Sequence, residues 1–226
     1  MKVKLINYTP HPDETVAAAA RLCYSPQSGE QLMANFTPGE AERLIEKLTS
    51  LGHFSPVEHI SFTFSIEGVS RVLSHQLVRH RIGVSYSQKS QRYVQEDQFE
   101  YIIPPSVRQH PEGEKIFREQ MTRIQEAYHE LLSFVPAEDA RYVLPNATET
   151  KLVVTYNARS LYHFFRLRCC ERAQWEIRHL AELMLQEVRK VAPHIFKKAG
   201  PTCITEGVCY EGSMSCGRVS NIQSRS

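Results

Sequence analysis

The sequence predicts an α+β fold: a single domain with a central, mostly antiparallel sheet flanked by helices, followed by a cysteine- and glycine-rich C-terminal extension. Three observations carry that prediction. Ile60, Phe62, Phe64 and Ile66 alternate with Ser61, Thr63, Ser65 and Glu67, the period of a strand covered on one face. Phe117, Met121, Ile124, Tyr128 and Leu131 recur at helical spacing, as do Ile177, Leu180, Met184 and Val188. No internal repeat and no linker splits the chain, so residues 1–198 read as one domain and residues 199–226 as its extension.

Along the chain, Lys2 to Tyr8 alternates like an opening strand, which Pro10 and Pro12 end. Asp13 or Thr15 can cap a helix that runs through Val16 to Leu22. Pro26 to Glu30 reads as a loop. Thr37-Pro38-Gly39-Glu40 opens a second helix, with Ala41, Leu44, Ile45 and Leu48 on one face and a stop near Gly52. A turn through Gly52–His59 leads into the strand at Ile60, which Gly68 is expected to break. Val69 to His80 has helical spacing. A loop follows, then a short apolar run from Phe99 to Ile103. The long helix spans Pro111 to Phe134, and a short helical turn lies between Pro136 and Pro145. Glu149 to Tyr156 is β-rich, Asn157 leads into a helix through Phe164 and Phe165, and a last helix starts at Ala173. Beyond Lys197 little helix or strand is expected.

Composition excludes several classes. With 226 residues, 42% hydrophobic and 23% charged, the chain has the make-up of a globular domain with a sizeable core. No apolar run is long enough for a membrane span, and the N-terminus lacks the apolar stretch of a signal peptide. The expected location is the cytoplasm, with reduced thiols. A net charge of +2 argues against a general polyanion binder, so any anion preference is local.

The local preference lies between Gly68 and Gln95. That stretch holds no acidic residue, but it holds Arg71, Arg79, Arg81, Lys89 and Arg92. Ser85, Ser87, Gln88 and Ser90 lie between the charges. Guanidinium forks, hydroxyls and loop amides together suit an anion. A second cluster comprises Arg159, Arg166, Arg168, Arg172 and Arg178. Arginines on amphipathic helices are usually solvated. Arg168 differs, because it lies between Leu167 and Cys169-Cys170 on a segment with Phe164 and Phe165. A partly buried arginine needs an anionic partner, and Glu171 and Glu176 are candidates.

Metal and thiol chemistry are weaker readings. His53, His59, His75 and His80 lack the spacing of ligands on one helical turn, and no metal is expected. Cys203-x5-Cys209-x6-Cys216 lacks the tight Cys-x2-Cys pair of zinc sites, and a fourth ligand would have to come from elsewhere. The vicinal Cys169 and Cys170 are flanked by arginines that favour a thiolate. No Rossmann or P-loop fingerprint is present. Two further classes stay open at this point. One is a nucleic-acid module that stacks bases on Tyr86 or Tyr93, against which the low net charge argues. The other is a metal-binding protein built on the tail cysteines.

Several of these motifs recur together in one family. Arg79-His80-Arg81, eight residues, then Ser90-Gln91-Arg92-Tyr93 resembles the signature of the flavin-dependent thymidylate synthases. Gly52-His53, Ser55-Pro56 and Glu58-His59 are similar to that family's early motif. Asn157-Ala158-Arg159-Ser160-Leu161 and Leu167-Arg168 through Ala173-Gln174-Trp175-Glu176 are similar to its late motifs. The resemblance covers roughly residues 1 to 195. It implies bound FAD, reduced by NADPH as co-substrate, and conversion of dUMP to dTMP with a carbon from 5,10-methylenetetrahydrofolate. It implies a homotetramer with active sites shared between subunits, and no nucleic acid or membrane partner.

By position, the resemblance gives FAD contacts to Ser55, Glu58, Arg79, His80, Arg81, Gln88, Asn157, Arg159 and His163. It gives dUMP contacts to Gln76, Leu77, Val78, Arg79, Gln88, Lys89, Ser90, Gln91, Arg92, Arg141 and Arg168. His53 is placed in the folate region. The sequence departs from the family pattern at Gln88, where an acid is common, and at His163, where asparagine is common. Arg168 is the catalytic candidate: a guanidinium against the N3/O4 edge of uracil favours the deprotonated ring and raises electron density at C5. Ser90 has no evident histidine base or acidic orienter, so it is assigned to phosphate binding with Arg92 and Arg141.

Overall fold

A computed structural model describes residues 1–37, 39–96 and 98–219. The chain begins with β1 (Lys2–Tyr8), α1 (Pro12–Leu22), α2 (Gly29–Ala34) and α3 (Glu40–Ser50). A 3-10 turn at Pro56–His59 precedes β2 (Ser61–Ser70), α4 (Arg71–Leu77) and β3 (Val84–Gln88). Next come α5 (Pro105–Arg108), α6 (Pro111–Leu132), α7 (Ala137–Ala140) and a 3-10 turn at Arg141–Val143. The remaining elements are β4 (Glu149–Asn157), α8 (Ala158–Arg168), α9 (Trp175–Val191), α10 (Thr202–Thr205) and a 3-10 turn at Gly212–Met214. The strands form a four-stranded antiparallel sheet in the order β1-β2-β4-β3, flanked by helices, so the fold is α+β as expected.

The period-2 pattern of β2 is realised in full up to Ile66. Phe62, Phe64 and Ile66 are completely buried, and Ser61, Thr63 and Ser65 between them are half-exposed. Burial of each large side chain contributes about 1.5–3 kcal/mol. Gly68 does not end the strand. It adopts φ 68°, its amide donates to Glu149 Oε1 at 2.8 Å, and the buried positions then become the adjacent Val69 and Ser70. This is how a bulge shifts the facing of a strand. Helix α4 therefore starts later than expected, at Arg71. Ser70 is its N-cap and accepts from the Leu73 amide at 3.1 Å. The helix also stops earlier, at Leu77, so Arg79 and His80 lie beyond it.

Three further differences have local causes. Helix α1 is capped by His11, at φ 49°, with Pro12 in its first turn, so neither Asp13 nor Thr15 is the cap. The proline lacks only an amide that the helix start leaves unpaired anyway. The stretch expected to be a loop at Pro26–Glu30 contains the start of α2, closed by a reciprocal capping box between Ser28 and Gln31. The basic loop contains β3, whose half-exposed Val84 and Tyr86 alternate with exposed Ser85 and Ser87. Helix α3 follows the expected helix, with Gly39 as N-cap; Pro38 lies outside the described residues.

By contacts the chain divides into two units. The first comprises Met1–Lys2, Ile66–Arg79 and Tyr86–Val153. Within it α6 packs on α5, α7 and the 3-10 turn at Arg141–Val143. Only Met121 and Tyr128 of α6 are fully buried. The second unit comprises Val3–Ser65, His80–Ser85 and the chain from Val154 onward. Within it α8 packs on α9 and on the 3-10 turn at Pro56–His59. The centre of this unit is aromatic: the Phe196 ring lies 5.3 Å from Phe62, 5.6 Å from Tyr162 and 6.0 Å from Phe165.

The junction of β4 and α8 depends on Gly83. Its φ is 65°, its carbonyl accepts from the Asn157 amide at 2.9 Å, and a Cβ there would fall on the Asn157 side-chain amide and within 2.6 Å of Ser160 Oγ. Gly83→Ala is expected to cost about 2 kcal/mol from backbone strain and crowding, which lowers Tm by roughly 4–8 °C for a chain of this size. Thermal unfolding of the variant checks this, and an unchanged Tm would contradict the tight approach.

Candidate active site

The residues singled out by the sequence fall into two groups, one in each unit. In the first unit they form a basic platform. Gln76 and the buried Leu77 occupy the last turn of α4, followed by exposed Val78 and Arg79. Gln88 ends β3, and its side-chain amide donates to Thr150 Oγ1 at 3.1 Å. Lys89 is tied to β4 through its backbone amide, which donates to the Lys151 carbonyl at 2.9 Å. Its ammonium donates to Glu96 Oε2 at 2.8 Å. Ser90 Oγ accepts from the Arg92 amide at 3.2 Å, a turn-forming role. The Gln91 side chain is buried and accepts from Arg71 Nη2 at 2.8 Å. Arg92 pairs with Glu138 and lies 5.3 Å from the Tyr93 ring centre. Arg141 Nε donates to the Glu138 carbonyl at 2.9 Å.

The acid-free stretch thus receives its counter-charges from outside itself. Glu96 lies one residue past its end, and Glu138 sits in α7. Glu96 is only 5% exposed, and its Oε1 has no hydrogen-bond partner. Burial, then the neighbouring Arg141 cation, lowers the Arg71 pKa from its high ordinary value, while Glu96 opposes. Glu96 and Glu138 are thus parts of the platform that no sequence motif assigned to it, whereas Arg71 belongs to the basic stretch itself. The Arg92–Glu138 pair is solvent-exposed on both sides and is worth at most about 1 kcal/mol.

In the second unit the residues gather around α8. Asn157 caps the helix, and its Oδ1 accepts from the Ser160 amide at 2.8 Å. Ser160 Oγ donates to the Ile82 carbonyl at 2.6 Å, which ties α8 to the segment after His80. Arg159 pairs with Glu58, which lies on the 3-10 turn that Ser55 precedes. Arg81 is exposed. Arg168 Nε donates to His80 Nε2 at 3.1 Å. The His80 ring lies 5.0 Å from Phe164 and 6.1 Å from His163, centre to centre. Burial, then the cation of Arg168 and the ring of His163, depress the His80 pKa to about 4. His80 is therefore neutral near pH 7. Its Nε2 carries the lone pair that accepts from Arg168, so the ring proton belongs on Nδ1.

A cavity of about 590 Å³ opens beside this group, lined by Arg159, Tyr162 and His163 of α8 and by Phe54. Two further cations, Arg166 and Lys198, reach the same wall. No local pattern separates Arg166 from solvated helix arginines, and Lys198 carries no motif. His53 and Ser55 are not among the lining residues. The first thiol of the vicinal pair does not behave as its flanking arginines suggested. Cys169 is 4% exposed, and burial pushes its thiol up to about 12, which removes it as a nucleophile near neutrality. Glu171 pairs with Arg178 and Arg218. Among the described residues, no helix is long and apolar enough to cross a membrane.

Comparison with known proteins fits this arrangement. A family model described as thymidylate synthase complementing protein matches residues 4–194. The flavin-dependent thymidylate synthase of Clostridium tetani is 51% identical over 240 residues, which span 99% of this chain and 96% of the relative. That of Geobacter sulfurreducens is 52% identical over 226 residues, with 99% and 97% covered. A Pyrococcus horikoshii relative of the same name is 47% identical over 220 residues, with 93% and 90% covered. The chain belongs to the flavin-dependent thymidylate synthase family.

The His80 environment has a testable sign. The folded-state pKa lies below the ordinary value of 6.5, so between pH 6.5 and about 4 the unfolded chain binds a proton that the folded chain excludes. This contribution to stability is complete above pH 6.5 and is lost as pH falls through that window. Urea unfolding at stepped pH should show a shallower decline for His80→Gln than for the parent chain. Equal slopes would contradict the assignment.

Proposed function

We propose that the protein methylates dUMP to dTMP, with 5,10-methylenetetrahydrofolate as carbon donor and NADPH as reductant through FAD. The reading is carried by the relatives named flavin-dependent thymidylate synthase, at 51% and 52% identity over 99% of this chain. Residues 1–198 form the catalytic part in this reading, and residues 199–226 an extension.

The residues in hand suit the ligands. For FAD the test is the cavity wall of the second unit, where Arg159, Arg166 and Lys198 offer cations to a diphosphate and Phe54 and Tyr162 offer aromatic surface. Arg159 and His163 would hold it there; Ser55, Glu58, Arg79, His80, Arg81, Gln88 and Asn157 complete the proposed set. When bound, the reduced flavin supplies the hydride that converts the transferred methylene group to a methyl.

The chain's own residues bind, orient and polarise. Ser90, Arg92 and Arg141 would take the dUMP phosphate, with Arg92 exchanging Glu138 for the ligand. Gln76 to Arg79, Gln88, Lys89 and Gln91 complete the nucleotide contacts. Arg168 would stabilise negative charge on the N3/O4 edge of uracil and so activate C5. Its bond to His80 supports that role, because a neutral acceptor orients a guanidinium without cancelling its charge. His53 is assigned to the folate region.

A homotetramer with shared active sites agrees with the open side of α6. Phe117, Ile124 and Leu131 stay only half-buried, and nearby in sequence Ile116 is 59% exposed and Phe134 77%. Such apolar exposure fits a subunit interface. A cytoplasmic location follows from the reaction proposed.

Purified protein should be yellow and should form dTMP from dUMP, methylenetetrahydrofolate and NADPH; a colourless, inactive protein would overturn the reading. Arg168→Ala should retain flavin absorbance while turnover falls by about 10²–10³, the loss typical of one transition-state charge contact. Full turnover would remove Arg168 from the mechanism. Ser90→Ala should stay active with weaker dUMP binding, since Ser90 acts as a turn acceptor; complete loss of activity with intact dUMP binding would restore it as a nucleophile.

A further inference from the structure

Cys203, Cys209 and Cys216 are one ligand short of a four-coordinate thiolate site, and their spacing alone does not find the fourth. The fold supplies it. Cys170, two residues past the end of α8, lines a small cavity of about 230 Å³ together with Cys203, Cys209 and Cys216. Arg166 and Arg172 stand on the same wall. We propose that Cys170, Cys203, Cys209 and Cys216 form a tetrathiolate site for a soft divalent cation, zinc by preference, which fastens the C-terminal extension to the end of α8.

Four features of this region point the same way. First, the six cysteines are all free, so no disulfide uses these thiols. Four of the six converge on one cavity, in a chain whose remaining two, Cys23 and Cys169, lie elsewhere.

Second, apart from ion pairs between exposed side chains, the described part of the extension packs little apolar surface. Helix α10 has four residues, and Ile204, Val208, Tyr210 and Met214 are 50%, 43%, 68% and 54% exposed. A segment that buries so little apolar surface does not offset its ordering entropy by packing. Coordination by a metal does so directly, as in small zinc-dependent folds.

Third, Gly207, Gly212 and Gly217 adopt φ of 68°, 54° and 77°, and a Cβ at any of them would meet nothing within 4 Å. These glycines serve backbone direction and not close packing. Their left-handed backbone lies between and after the thiols, where a ligand loop needs to bend.

Fourth, the charge is right. A divalent cation with four thiolates carries a net double negative charge. Arg166 and Arg172 face it, holding Glu206 at 3.8 Å and Glu211 at 3.9 Å, with the Tyr210 ring centre 5.6 Å from the Arg166 guanidinium. Such a cationic surround stabilises an anionic metal–sulfur centre.

The thiols ring the cavity without meeting. Among the described residues, no three histidine, cysteine or carboxylate groups stand at ligating spacing. Closure on the ion is therefore part of the proposal. Each thiol would release its proton to solvent as it binds, and no oxidant or reductant is needed. The site takes no part in the chemistry assigned to Arg168, and its test reads metal binding rather than turnover.

The test uses the full-length protein, reduced and stripped of metal with a chelator, titrated with Co²⁺ and then Zn²⁺. One equivalent of cobalt should bind with a sulfur-to-metal charge-transfer band, and equimolar zinc should bleach it. Cys170→Ala and Cys209→Ala should each weaken zinc binding by more than about a hundredfold, above the loss expected for an outer-shell partner. Cys23→Ala should bind as the parent does. Zinc should also slow proteolysis within the extension of the parent chain and leave that of Cys170→Ala unchanged, which separates ligand loss from misfolding. A reduced chain that binds less than one equivalent overturns the proposal, as does a Cys170→Ala chain that binds zinc like the parent.

Discussion

Much of the candidate site depends on one close approach, the Gly83 backbone against Asn157. Three bonds meet there: the Asn157 amide to the Gly83 carbonyl, Asn157 Oδ1 from the Ser160 amide, and Ser160 Oγ to the Ile82 carbonyl. They end β4, start α8 and fix the chain just after His80. Helix α8 then carries Arg159 and His163 one turn apart and Arg168 at its end. The face opposite Arg159 and His163 is set by Phe164 and Phe165, both fully buried, and Arg168 follows Phe164 by one turn on that side. A helix seated in this way has little freedom to slide, so a glycine and an asparagine at its start help to decide the positions of its polar side chains.

The contact between Arg168 and His80 adds an electrostatic rule. A carboxylate in place of His80 would hold the guanidinium more tightly but would also neutralise it. Imidazole in a half-buried, cation-facing position cannot readily protonate, and so it remains an acceptor. The same surroundings that make His80 a poor base make it a steady support for a cation.

How much of this was legible depends on the range of the signal. The strand at Ile60–Ile66, the long helix from Pro111 and the helix that Asn157 leads into write their patterns within a few neighbouring residues, and the structure matches them. Strand β3 was hidden because serines occupy its outer face and charges flank it, so its alternation is faint. Gly68 looked like a breaker because glycine marks both bulges and ends; only the bond from its amide to Glu149, far along the chain, separates the two. The partners of the basic stretch were invisible for a similar reason. Glu138 lies 46 residues beyond Arg92, and no periodicity links them. Lys198 carried no signal, and Arg166 and Cys170 showed only as members of a basic cluster and a thiol pair, because their cavity neighbours are distant in sequence.

The internal counter-charges of the basic platform also change what binding means there. Lys89 and Arg92 already hold Glu96 and Glu138, and Arg71 is hydrogen-bonded to Gln91. An anion that docks on this surface joins an exchange reaction, in which carboxylates leave as phosphate oxygens arrive. Ionic strength screens the departing contacts as well as the arriving ones. Affinity should then fall less steeply with salt than the four cations Arg71, Lys89, Arg92 and Arg141 would suggest. The platform is also held in shape by its own acids before any ligand comes, so binding need not organise the chain first.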